Sequence, residues 1–317
     1  MNKEIKITKG DLGFTYNSIK SLLTKFGEID REKHKIKRLI INFDFNEGDG
    51  SHLGLSLIWR LMFALKETSF EKLVTYNGST QSFFKDRHFF DRLVGKKNSL
   101  RKNTSIPIHF ETFNPSQQIS GSDASIDAIF KEVTKKFLDN SNPFQAEIKV
   151  HMLEVITNSF DHSDSRTEAV SVCALDPKTG ILDFCVVDMG QGVKQSFLRN
   201  EKMRKQYSMM SDQEIVARAT DFKVSCNPSS ARNPKYPYSN GGIGLYFLRE
   251  FIKVHKDCHL VIISGKGYYY VDSANRIKRR NLLDVNWSGT IVNFRVNVNQ
   301  LRKEEYIDIC QRFSNKD

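Results

Sequence analysis

The first quarter of the chain alternates between strand-like and helix-like patterns. In EIKIT (4–8), Ile5 and Ile7 alternate with polar neighbours, which predicts a strand. TYNSIKSLLTKFG (15–27) reads as a helix ending at Gly27. RLIINFDF (38–45) is a β-rich run, followed by the turn-like NEGDG (46–50). SHLGLSLIWRLMFALKE (51–67) is apolar on most faces, as a buried helix is, and KLVTYN (72–77) is a short strand. This βαβ-like alternation predicts an α/β layer structure.

TFNPSQQISGSD (112–123) is rich in Ser, Gln, Pro and Gly and is the best linker candidate. Beyond it, ASIDAIFKEVTKKFLDN (124–140) is an amphipathic helix pattern, and a second helix is expected over about 144–162. Two strands follow, EAVSVCALD (168–176) and ILDFCVVDM (181–189), joined by the hairpin turn PKTG. Residues 193–240 are long, polar and poor in strand signal, with one helical piece at SDQEIVARAT (211–220). The helix IGLYFLREFIKVH (243–255), the strands HLVIISG, GYYYVD and GTIVNFRVNV, and a last helix near 300–313 complete the pattern, without internal repeats. The expected organisation is a small α/β domain over 1–115 and a larger α/β domain over 116–317.

Composition narrows the class. With 317 residues and 39% hydrophobic content, a packed core is expected rather than general disorder. No apolar run approaches the ~20 residues that span a bilayer, and MNKEIKITKG lacks the apolar core of a secretory signal. A cytoplasmic protein with no membrane partner is therefore expected. Five cysteines without a CxxC pair read as reduced thiols, and no histidine spacing marks a metal site. The formal net charge is +11, with basic clusters at 31–38, 95–102, 201–206 and 276–280. These are scattered, interrupted by acids and not interleaved with aromatics, so they favour solvated surface over a nucleic-acid face.

The chemistry begins in EVITNSFDHS (154–163). At about 100° per residue, Glu154, Asn158 and Asp161 fall within roughly 60° of one another on one face of a helix otherwise built of Met, Leu, Val, Ile and Phe. On a solvated face such a trio is ordinary. On a buried one it is costly unless it binds something. VVDMGQGV then ends a strand in Asp188, followed by Gly190 and Gly192, where a flat ligand could approach the backbone. SNGGIGLYFLRE sets Gly241, Gly242 and Gly244 before a helix, whose free amides and dipole suit phosphates. WSGTIVNF opens a strand with Gly289 and Thr290. Both GxGxxG and the Walker A pattern are absent.

In this order the four pieces resemble the GHKL ATPases, which share the Bergerat ATP-binding fold. Glu154 and Asn158 resemble the N box, ExxxN. Asp188, Gly190 and Gly192 resemble the first glycine box. Gly242, Gly244 and Leu245 resemble the second, and Gly289 with Thr290 the last. The resemblance covers about 125–298. It implies a Bergerat α/β sandwich, a mixed sheet covered by helices on one face, that takes ATP and Mg²⁺. By carry-over Asn158 would be the metal ligand, Glu154 the general base, and Asp188 the acceptor for the adenine amine. Gly192 and Thr290 would support the adenine, and Gly242 and Gly244 would open the way to the phosphates. Residues 193–240 would form the ATP lid, mobile without nucleotide. Asp161 sits where sensor histidine kinases usually carry Lys; chaperone and MutL members carry Asp. No phospho-accepting His on a helical hairpin precedes the boxes, and no sizeable domain follows Thr290. The lid is most similar to those of the anti-sigma-factor kinases. INFDFNEGDGSHLGLSLIW resembles a STAS domain through Asp49, Ser51, Leu53 and Gly54, with Gly50 where that family's phosphorylated Ser is expected. An ordinary βα turn with Ser51 as N-cap accounts for it equally.

The function implied is an ATP- and Mg²⁺-dependent regulatory switch that hydrolyses ATP slowly and acts on a protein partner. A serine/threonine protein kinase of the anti-sigma type and a nucleotide-sensing module without turnover are the alternatives. A homodimer and contact with nucleic acid stay open.

Overall fold

The computed structural model describes residues 1–13, 15–45, 71–76, 108–113, 144–161, 169–176, 178–222, 224, 244–282 and 285–301. Outside them lie the turn and helix expected over 46–67, the STAS-like residues Asp49, Gly50, Ser51, Leu53 and Gly54, most of the 112–123 linker, the helix expected at 124–140, Gly241, Gly242 and nearly all of the last helix. The chain is a mixed α/β protein that divides into two compact units, Met1–Ile108 and His109–Asp317. No helix among the described residues is long and apolar enough to cross a membrane.

In the smaller unit, β1 (Asn2–Thr8), β2 (Arg38–Asp44) and β3 (Glu71–Tyr76) form a parallel sheet in that order. Parallel neighbours need a crossover, and α1 (Tyr16–Glu32) supplies the one between β1 and β2. Thr15 caps this helix by accepting from the Ser18 amide. Ile5, Ile7, Leu39, Ile41 and Phe43 on the strands and Ile19, Leu22, Leu23, Phe26 and Ile29 on α1 are all buried. The helix does not stop at Gly27 as expected. Ile29 continues the buried stripe past it, and burying that side chain outweighs the modest cost of one interior glycine.

The larger unit is built on a seven-stranded sheet. Its strands are β4 (Ile108–Phe113), β5 (Ala169–Asp176), β6 (Ile181–Val187), β7 (His259–Gly265), β8 (Gly267–Asp272), β9 (Ile277–Asn281) and β10 (Trp287–Asn297). They lie in the order β4-β5-β6-β10-β7-β8-β9, and every pair from β5 to β9 is antiparallel. β4 joins this sheet at its β5 edge, and the division between the two units falls at Ile108, its first residue.

The long helices α2 (Phe144–Asp161) and α6 (Gly244–Val254) share one hydrophobic core with one face of the sheet. Met152, Ile156, Leu248 and Ile252 meet Phe184, Phe294, Leu260 and Val186 there. The opposite face is buried as well: Val170, Val172, Cys185, Val261, Ile263 and Ile291 are all inaccessible. Sheets buried on both faces read as continuous apolar runs, and AVSVCALD and ILDFCVV have that character.

The stretch expected to form a lid begins with helical structure. Three short helices occupy its first half: α3 (Gly192–Arg199), α4 (Glu201–Tyr207) and α5 (Asp212–Arg218). Phe197, Tyr207, Ile215 and Ala219 form a small core of their own, with Phe197 and Tyr207 packed edge to face at 5.2 Å. α5 falls within the helical piece expected over 211–220, whereas α3 and α4, of eight and seven residues, carry only two or three apolar positions each, too few for a periodic signal.

Candidate functional site

The polar trio lies on a helix with little solvated surface. Over 151–157 every residue of α2 is buried, and Glu154 is only 8% exposed. The surface-stripe reading therefore fails for Glu154. Asn158 is half-buried one turn further on, and Asp161 ends the helix. The Glu154 carboxylate packs against Gly244, the first residue of α6. A Cβ placed on Gly244 would collide with Oε2 and lie 2.8 Å from Cδ. Residues 90 apart in sequence thus meet because α2 and α6 pack side by side on the sheet. A carboxylate there also suits the positive end of the α6 dipole. Leu245 follows, half-buried and packed against both hydrophobic clusters.

The second group forms where β6 and β10 run side by side. Asp188, just past β6 and 4% exposed, accepts through Oδ1 from the Gly190 amide at 2.8 Å and the Thr290 amide at 3.1 Å. Its own amide donates to the Thr290 carbonyl at 2.9 Å, and its carbonyl accepts from the Trp287 indole at 3.3 Å. Gly289 has φ +116°, open to glycine and strained for any other residue, and a Cβ there would strike the Asp188 carbonyl. Gly192, at φ +76°, faces Ser264 Oγ and the Gly289 carbonyl, with 2.6 and 3.0 Å available to a Cβ. The glycines of the DxGxG and GT pieces thus let the chain approach itself.

Ser264 completes this group. Its hydroxyl donates to the Gly289 carbonyl at 2.8 Å and accepts from the Val193 amide at 2.8 Å, tying β7, β10 and the start of α3 together. Sequence reading passed over it. The available signal was a lone Ser closing the apolar run HLVII just before Gly265. Trp287, buried against Asp188, was missed in the same way.

The structure thus brings Glu154 to Gly244, and Asp188 to Gly190, Gly289 and Thr290. Gly242 lies outside the described residues. Among the described residues no group of three or more His, Cys, Asp or Glu side chains is placed to hold a metal ion. A divalent ion here would need an amide such as Asn158 together with oxygens of its ligand. Comparison of the chain with family models, with curated proteins and with solved structures returned no match.

Proposed function

We propose that the larger unit is a GHKL-type ATP- and Mg²⁺-binding module that acts as a nucleotide-dependent switch with slow hydrolysis. The observation that carries this reading is the Asp188 node. A carboxylate at a strand end is held rigid by two backbone amides from separate segments, Gly190 and Thr290, beside two glycines whose lack of Cβ keeps the backbone close. A pre-oriented carboxylate of this kind selects a ligand that presents an amine donor, as adenine does. On the neighbouring helix pair, Asn158 would contribute its amide oxygen to Mg²⁺. Glu154 would orient the attacking water and accept its proton, one turn from the metal ligand. Held by Asn158, Mg²⁺ would supply neutralisation of phosphate charge at the site.

Asp188→Asn tests the reading. The amide oxygen still accepts from Gly190 and Thr290, but the new NH₂ would face the adenine amine donor to donor. ATP affinity measured by calorimetry is expected to fall about ten- to a hundredfold, the worth of one charged hydrogen bond. Equal ATP affinity in variant and parent would remove the adenine assignment.

A further inference from the structure

The ladder between β7 and β10 breaks where the DxGxG and GT pieces meet. Thr290 pairs with Ser264 and Trp287 with Gly265, so Ser288 and Gly289 stand between pairs that are adjacent on β7. A bulge of this kind takes residues out of the regular ladder and re-aims them. Here a side chain serves the Gly289 carbonyl instead: Ser264 Oγ donates to it at 2.8 Å. A hydroxyl has one proton, so that proton is committed to the carbonyl, and the Val193 amide donates to the same oxygen at 2.8 Å. Val193 is the second residue of α3, where backbone amides have no partner within the helix. Gln191, the N-cap residue, makes no side-chain cap bond and directs its side-chain amide to Ser196 at 3.0 Å. Ser264 therefore caps α3 from a separate strand.

The Gly289 carbonyl and the Thr290 amide belong to one peptide group, whose C=O and N–H point in opposite directions within a rigid plane. Ser264 holds the carbonyl end of that plane, and Asp188 Oδ1 accepts from its amide end at 3.1 Å. The bonds form a directed series, from the Val193 amide to the Ser264 hydroxyl, from the hydroxyl to the Gly289 carbonyl, and from the Thr290 amide to Asp188. Each donor polarises the next, and the series ends on the carboxylate. Ser264 and Asp188 are both buried, so water does not stand in for either.

We propose that Ser264 is a positioning residue for the Asp188 carboxylate and so sets the preference of the site for a nucleotide that carries an exocyclic amine. This role rests on the ATP-binding reading above. Ser264 acts through the Gly289–Thr290 peptide plane rather than on the ligand. Without its hydroxyl, the Gly289 carbonyl and the Val193 amide lose this partner. The plane can then tilt and carry the Thr290 amide away from Asp188.

Ser264→Ala, measured by calorimetry on the full chain, separates positioning from scaffolding. The probes are ATP and purine riboside triphosphate, which lacks the exocyclic amine of adenine. The parent should bind ATP more tightly than the second probe. In Ser264→Ala, ATP affinity is expected to fall about three- to tenfold, the worth of one neutral hydrogen bond, and affinity for purine riboside triphosphate to change less than about twofold. A purely structural loss would weaken both probes alike. Where Ser264→Ala does not fold, Ser264→Cys, close in shape and a weaker donor, carries the same comparison. An unchanged ratio of the two affinities in the variant would overturn the role of Ser264 and leave the ATP reading standing. A parent that binds no ATP, or that binds both probes equally, would overturn the adenine assignment and this role with it.

Discussion

Gly289 and Gly27 show how one residue type carries opposite consequences in this chain. At φ +116°, with the Asp188 carbonyl in the way of a Cβ, Gly289 cannot become alanine without strain and a shift of the β6–β10 junction. Gly289→Ala is expected to destabilise the larger unit by about 1–3 kcal/mol. Gly27 lies inside α1 with nothing within 4 Å of a Cβ. Gly27→Ala should stabilise the smaller unit by about 0.4–1 kcal/mol, mostly by restricting the unfolded chain. Denaturant unfolding of both variants checks the pair. A neutral Gly289→Ala would mean that the junction is looser than its contacts indicate. The close approach could not be read from SGT or DMGQG, because its cause is a backbone about a hundred residues away. The presence of glycine at those places could be read, and pointed to the right segments.

At the scale of the element, the packing of α2 on α6 rests partly on a buried histidine. His151 is 2% exposed and lies 5.0 Å from the Phe251 ring, which in turn packs 4.4 Å from the His255 ring. Neither nitrogen of His151 has a hydrogen-bond partner among the described residues. Burial, with a smaller contribution from His255, pushes its pKa from the ordinary 6.5 down to about 3. The folded state therefore holds His151 neutral while the unfolded chain takes up a proton below about pH 6.5. More protons bound to the unfolded state means that stability falls as pH drops through this window, toward about pH 3. The slope from this group is at most about 1.4 kcal/mol per pH unit. His151→Leu should remove that share of the acid sensitivity and leave neutral-pH stability equal or higher, since no polar nitrogen stays buried without a partner. Melting midpoints across pH 4 to 7, chosen to span roughly this window, give the comparison; parallel curves for variant and parent would exclude His151 as a source. Sequence alone placed a helix here but gave no sign that His151, one residue before Met152, faces inward.

At the scale of the molecule, the three helices over 192–218 limit which parts of the proposed nucleotide switch can move. Val193 is tied to Ser264, and Asp212 accepts from the Lys266 amide at 2.8 Å. Gly267 lets α5 approach so closely that a Cβ would lie 2.7 Å from the Asp212 carbonyl. This stretch has its own core and its own anchors on the β7–β8 turn, and such segments open rarely. Hydrogen exchange over α3, α4 and α5 is therefore expected to be slow with or without an ATP analogue. Fast exchange there that slows on nucleotide addition would return the whole of 193–240 to the role of a lid.

Periodicity and local chemistry determined most of the elements. The alternation in EIKIT, the apolar runs of β5 to β8 and the amphipathic α6 each carry their own signal, because each buries a face that its own residues define. The candidate residues at 154, 188, 244 and 289–290 were visible because carboxylates and glycines at strand ends and helix starts are costly without a cause. What tertiary structure alone decided has non-local causes. α1 runs through Gly27 because the stripe beyond it is buried. α3 and α4 fold in the polar stretch before residue 211 because a few apolar side chains meet one another and the sheet. RIKRR becomes an edge strand because β8 offers it a ladder, despite a composition with little strand propensity. Ser264 and Trp287 gain their roles only where β7, β10 and the end of β6 come together, a meeting set by strand order and not by any neighbouring residue in the chain.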